Sequence, residues 1–173
     1  TNLGQRVVAA LAAAGTERII GIGRAGTAAV PPGFEQRFVD PLDPALDLSG
    51  IDVVIDASWE TLPADADPGD GRRNIDTVER LLLVAARDGV SQVIHIGSAT
   101  VYGAWRDNPV PLTEDAPLRP NAGLIDAIAH AEAERVIADF RLLHPEVRVA
   151  VLRPVPMTAA DGGDWLARAL QPG

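Results

Sequence analysis

Short runs rich in Ile and Val alternate along this chain with segments whose apolar residues recur every three or four positions, and that alternation limits the folds open to it. Residues 3–14 carry Leu3, Val7, Val8, Leu11 and Ala14 on one helical face, and Gly15 is placed to end that helix. A short buried strand is predicted at 18–22, a second at 37–39 ending in Asp40, and a third at 51–57, whose β-branched run reads as covered on both faces. A helix at 74–88, with the stripe Val78, Leu81, Leu82 and Ala85, closes at Gly89 and leads directly into a strand at 92–97. After a proline-rich loop at 99–122 come a long helix at 124–143, a strand at 147–152 that runs into Arg153-Pro154, and one more short helix at 165–170. Strands that alternate with helices pair in parallel, and right-handed crossovers then put helices on both faces. The expected fold is α/β, a doubly wound parallel sheet in a single domain over 1–173.

Composition narrows the function. Acidic residues outnumber basic ones 24 to 15, for a net charge of −9. No basic run is present, so the electrostatic footprint of nucleic-acid binding is absent. The chain has no cysteine, which removes disulfides, thiolate metal ligands and a cysteine nucleophile; a reducing cytoplasm fits. His95, His130 and His144 lack metal-site spacing, and no apolar run reaches the ~20 residues of a membrane span. No metal, nucleic-acid or membrane partner is therefore expected.

The string Val93-Ile94-His95-Ile96-Gly97-Ser98-Ala99-Thr100-Val101-Tyr102-Gly103, followed by Glu114-Asp115-Ala116-Pro117-Leu118-Arg119-Pro120, resembles the extended short-chain dehydrogenase/reductases, the group of NAD-dependent epimerases and dehydratases. The resemblance covers nearly the whole chain, from Leu3-Gly4 to Leu152-Arg153-Pro154. It implies a Rossmann-type, NAD(P)-binding domain in which Asn2, Leu3 and Gly4 form the tail of the glycine-rich fingerprint. The first strand and earlier glycines of that fingerprint would precede Thr1, and a smaller substrate portion would follow the strand at 147–152. A domain incomplete at both ends is expected, the alternative being a smaller sheet that never had this strand.

The resemblance also implies cofactor contacts. Where NAD-preferring members carry an acid for the ribose hydroxyls, this chain has Gly23, followed by Arg24. Loss of the carboxylate and gain of a guanidinium lean the expectation toward NADP, unless Arg24 is merely solvated. Asp40 matches the acid beside the adenine, Ala57 and Ser58 the turn beneath the cofactor, Asn74 a supporting helix residue, and Pro154 the end of the last strand.

Family members use a Tyr-x-x-x-Lys pair on the long helix for proton transfer. Here Asp126 and His130 stand at those positions, while Ser98 matches the serine that hydrogen-bonds the reacting oxygen. An acid and an imidazole four residues apart can exchange protons near neutral pH, but they can equally form a plain ion pair on the helix surface. Tyr102 can serve a rescue role, contact substrate or pack. His95 reads as a hydrogen-bonded core histidine, His144 as a dipole partner at a helix end, Trp59 as a cover for a nucleotide or for a loop, and Asp65, Asp67 and Asp70 as a solvated loop.

Two functions follow. One is an oxidoreductase, epimerase or dehydratase acting on a nucleotide-sugar-like or small hydroxy/keto substrate, with acid–base chemistry rebuilt around Asp126, His130 and Ser98. The other is a dinucleotide-binding sensor or scaffold without turnover. A homodimer through the long helices at 74–88 and 124–143 is a further expectation.

Overall fold

Apolar runs that share a register pair first, and in the computed structural model three of them form one parallel sheet. The structure describes residues 2–24, 34–63 and 65–155; the helix expected at 165–170 lies outside them. Strand β3 (Val53–Asp56) pairs with β4 (Gln92–Ile96), and β4 pairs with β5 (Arg148–Leu152). Val53 stands opposite Gln92, and His95 opposite both Asp56 and Val151. A second parallel pair, β1 (Ile20–Gly23) with β2 (Glu35–Phe38), sets Ile20 opposite Glu35.

Three helices complete the order. Helix α1 (Asn2–Ala13) precedes β1, α2 (Arg72–Arg87) joins β3 to β4, and α3 (Ile125–Leu143) precedes β5. Helices α2 and α3 pack against each other on one face of the sheet, and α1 stands apart from both. The core is the meeting of their stripes: Val78, Leu82 and Ala85 from α2, Ala133, Ile137 and Phe140 from α3, and Val93 from β4. Leu46 and Leu48, from the connection between β2 and β3, are also fully buried there. Helix α2 ends as expected: Gly89 takes φ +77°, and Val90 N–H closes the turn on Ala85 C=O at 2.9 Å.

Several boundaries differ from the sequence reading. Strand β2 begins at Glu35 rather than residue 37, because its register is fixed by backbone bonds to β1 and not by its side chains. Residues 51 and 52 leave β3 because Ile51 N–H closes a turn on Leu48 C=O, with Gly50 at φ +74°. Helix α2 starts two residues early, at Arg72, and the expected loop after β4 opens with a 3-10 turn at Ala99–Tyr102.

The expected sheet is parallel throughout, but the described residues form it in two parts. Between β1 and β3 runs a slot of about 950 Å³, walled by Val8 and Leu11 of α1, Ile20 and Ile22 of β1, and Val53 and Ile55 of β3. Val53, read as covered on both faces, is 45 % exposed, because it stands at this slot.

Candidate functional site

Strands β3 and β4 are parallel and end at one edge, where each hands its chain to a turn. Gly4, Gly23, Arg24, Ala57, Ser58 and Asn74 all line the slot, and Arg24 after β1 reaches Glu60 after β3. The structure thus gathers six of the residues expected at a cofactor. Leu3 lies in the first turn of α1 beside them; the Asn2 side chain lies outside the described residues. Asp40 stands beyond the end of β2, where the Leu42 N–H and the Arg73 guanidinium hold its carboxyl below the usual range. Arg24 pairs with Glu60. Pro154 C=O accepts from Ala99 N–H at 2.9 Å, tying the end of β5 to the turn after β4.

The turn after β3 is strapped down from several sides. Glu60 exchanges two hydrogen bonds with the Asn74 side chain, at 3.1 and 2.8 Å. Asp126 Oδ1, in the first turn of α3, accepts from the Trp59 indole N–H at 3.0 Å and from Leu62 N–H at 3.1 Å. The Trp59 ring lies flat on His130, 3.6 Å between centroids and 14° between planes, and edge-on to His95 at 6.2 Å.

Two Asp–His pairs flank that indole. His95 (2 % exposed) donates from Nδ1 to Asp56 Oδ2 at 2.8 Å. The other Asp56 oxygen accepts from Ser58 N–H and Oγ–H. Burial pushes the Asp56 carboxyl up, but these bonds outweigh it and hold Asp56 below the usual carboxylate range. His130 (4 % exposed) sets Nε2 3.7 Å from Asp126 Oδ2. The pair is therefore no surface ion pair, since Trp59 roofs it. His95 Nε2 and His130 Nδ1 are both buried and have no hydrogen-bond partner among the described residues.

Burial lowers the His130 pKa to about 4, against a smaller opposing pull from Asp126. The imidazole is thus neutral at pH 7. In the unfolded chain it takes up a proton near pH 6.5; in the fold it does so only near 4. This contribution to stability is complete above pH 6.5 and drains away as pH falls toward 4, by about 3 kcal/mol in all. Urea titrations from pH 7 to 4 should show that loss, and His130→Gln should remove most of it. An unchanged slope in the variant would place the proton uptake elsewhere.

Ser98 closes β4, its Oγ 2.8 Å from Thr100 Oγ1 and accepting from Thr100 N–H. Tyr102, in the 3-10 turn, is buried, and its hydroxyl is held by the Arg153 guanidinium, which also lies over the ring. That guanidinium makes three bonds to buried Glu134, at 2.6 to 3.1 Å. His144 caps α3 with its N–H on Phe140 C=O and sets Nδ1 3.1 Å from Glu146. Among the described residues no three acidic or histidine side chains group to hold a metal ion, and no helix is long and apolar enough to cross a membrane.

The Glu134–Arg153 pair and the Asp56 partner of His95 escape a reading of the sequence. Their signals are faint: an acid that interrupts an apolar strand, and a glutamate one helical turn beyond His130. All fifteen basic residues are arginine, so this sequence offers no lysine amine, and its one tyrosine, Tyr102, is committed to Arg153. Residues 126 and 130 of α3 are a hydrogen-bonded acid and a roofed, neutral imidazole.

Comparison with known proteins is consistent with this geometry. The model of the NAD dependent epimerase/dehydratase family matches residues 2–164. Among solved structures, a UDP-galactose 4-epimerase is 26% identical with TM-score 0.71, over 87% of this chain and 51% of that one. TunA, an NAD dependent NDP-hexosamine 5,6-dehydratase involved in tunicamycin biosynthesis, is 24% identical with TM-score 0.76, over 95% and 55%. UDP-glucuronic acid 4-epimerase from Bacillus cereus, solved with NAD, is 19% identical with TM-score 0.67, over 88% and 53%. The chain spans about half the length of these relatives. No curated protein matches it.

Proposed function

The chain belongs to the NAD-dependent epimerase/dehydratase family, and from that premise we propose that it binds a nicotinamide dinucleotide along the carboxyl edge of its parallel strands. The observation that carries this reading is that Gly4, Gly23, Arg24, Ala57, Ser58 and Asn74 all line one slot. Gly23 leaves room and no repelling carboxylate beside a ribose. Arg24 is the group that would take a 2′-phosphate, exchanging Glu60 for it, which leans the choice toward NADP. Asn74 fixes the strap beneath the ligand. An additional parallel strand in the slot belongs to the same reading, supplied by chain outside this sequence.

When bound, the nicotinamide supplies hydride acceptance and return, on a nucleotide sugar or a small hydroxy/keto compound if the whole protein turns over. Two readings of the α3 positions compete. In one, Asp126, His130 and Ser98 rebuild the proton transfer; in the other, the dinucleotide is held without turnover. The contacts favour the second. Asp126 spends one oxygen on two N–H donors of the strap, and the imidazole face is covered by Trp59.

Calorimetric titration of the full-length protein with NAD+, NADP+ and ADP-ribose should give saturable binding with one ligand per chain, and NADP+ should bind tighter than NAD+. Incubation with reduced dinucleotide and a panel of nucleotide sugars should leave the absorbance at 340 nm unchanged. Turnover abolished by Asp126→Ala would restore the rebuilt-site reading; absence of binding by all three ligands would remove the dinucleotide altogether.

A further inference from the structure

A dinucleotide lies across a parallel sheet in two halves, each beside its own strand ends. Here one half is open and the other is filled. Gly23 and Arg24 at the end of β1, Ser58 and Glu60 after β3, and Arg73 and Asn74 of α2 all line the slot. None of Trp59, His95, Ser98, Asp126 and His130 does. These residues, from the turn after β3, from β4 and its end, and from the start of α3, are engaged with one another or with their own neighbours. Trp59 carries its indole from the β3 turn onto the face of His130 and sets it edge-on to His95, so the ring is bounded by the elements between which a second half would lie. It also packs on the hydrophobic core. Asp126 Oδ1 accepts from the indole N–H at 3.0 Å and from Leu62 N–H at 3.1 Å, and Ser98 Oγ is spent on Thr100.

We propose that Trp59 stands in the place of the nicotinamide half, so that this protein grips a dinucleotide by its adenosine diphosphate half alone and takes ADP-ribose as readily as NAD+. The proposal rests on the dinucleotide-binding reading above and concerns how much of the ligand that site reads. Entry of the second ring is an exchange of like for like. A nicotinamide arriving beside α3 trades one planar ring on His130 for another, and so returns at most the stacking it removes. It also parts the indole N–H from Asp126, which leaves a carboxylate oxygen with one donor fewer. The adenosine half meets no such occupant. Gly23 adds no side chain, and Arg24 and Arg73 bring guanidinium groups to the slot, where a phosphate can replace the carboxylates of Glu60 and Asp40. The ligand class is thus a nucleotide that carries adenosine diphosphate, with the nicotinamide dispensable.

The test is calorimetric titration of the full-length protein with NAD+, ADP-ribose and nicotinamide mononucleotide, and in parallel with NADP+ and 2′-phospho-ADP-ribose. ADP-ribose should bind within about three-fold of NAD+, and the 2′-phosphorylated pair should agree as closely. Nicotinamide mononucleotide should neither bind nor displace ADP-ribose. Trp59→Ala, which empties the place beside His130, should favour NAD+ over ADP-ribose by about ten-fold. Trp59→Phe, which keeps a ring there, should leave the two ligands equal. NAD+ binding about ten-fold or more tighter than ADP-ribose in the wild-type protein overturns the proposal and leaves dinucleotide binding intact. Equal binding that persists in a folded Trp59→Ala variant overturns the part given to the indole. Because that variant can loosen the turn after β3, the wild-type ratio and the mononucleotide result decide the matter where it does not fold. Binding of none of the ligands overturns both readings.

Discussion

Appending a five-residue apolar strand and its turn upstream of Thr1 should raise the midpoint of thermal unfolding by about 10–20 °C. A slot walled largely by apolar side chains runs between β1 and β3. A strand lodged there buries side chains on both faces, each worth about 1.5–3 kcal/mol, and also covers wall residues such as Val53. Ordering five residues costs about 1.5 kcal/mol apiece, which leaves about 5 kcal/mol in favour once the newly covered walls are counted. Calorimetric scans of the extended and parent chains measure the difference. A control with proline in the middle of the added strand should lose the gain, because proline cannot donate to either neighbour. Equal midpoints for strand and control would mean that the slot closes by other means.

The second large effect belongs to Arg153. Its guanidinium answers the Glu134 carboxylate, whose side chain is only 5 % exposed, and it also donates to Tyr102 Oη and to Glu114 C=O. Arg153→Met strands a buried carboxylate and should cost about 3–5 kcal/mol in a urea titration at pH 7. Glu134→Met in the same chain should recover most of that, since an apolar pair of similar volume needs no compensating charge. A loss below about 1 kcal/mol in the single variant would show that water already reaches Glu134. The desolvated geometry argues otherwise.

Most of the secondary structure was legible because it rests on local periodicity. The stripe Val78, Leu82, Ala85 and the glycine at 89 mark α2 without any knowledge of its neighbours. Strand β2 was legible only approximately, because Glu35 and Arg37 pair through their backbones and their side chains carry no pattern. What chain position does predict is proximity: Gly23 and Ala57, at the end of β1 and just after β3, line one slot with Gly4 of α1 and Asn74 of α2. The chemistry of the site was not legible. That Asp126 is spent on a strap, and that His130 lies under an indole, depends on Trp59, which is 67 residues from Asp126 in sequence. Spacing along α3 implies that Asp126 and His130 are neighbours and says nothing of what covers them.

The connection from β2 to β3 has a bearing on the order of events during folding. Its anchors, Leu46 and Leu48, are locked into the core with α2, and they line the slot together with Val8 and Leu11 of α1. An occupant walled by α1, α2 and the Leu46–Leu48 segment enters most readily before those walls are assembled. A strand that is to lie there must therefore be present while the walls still move. Supplied from another molecule after folding, the same residues would enter no faster than α1 or the Leu46–Leu48 segment detaches.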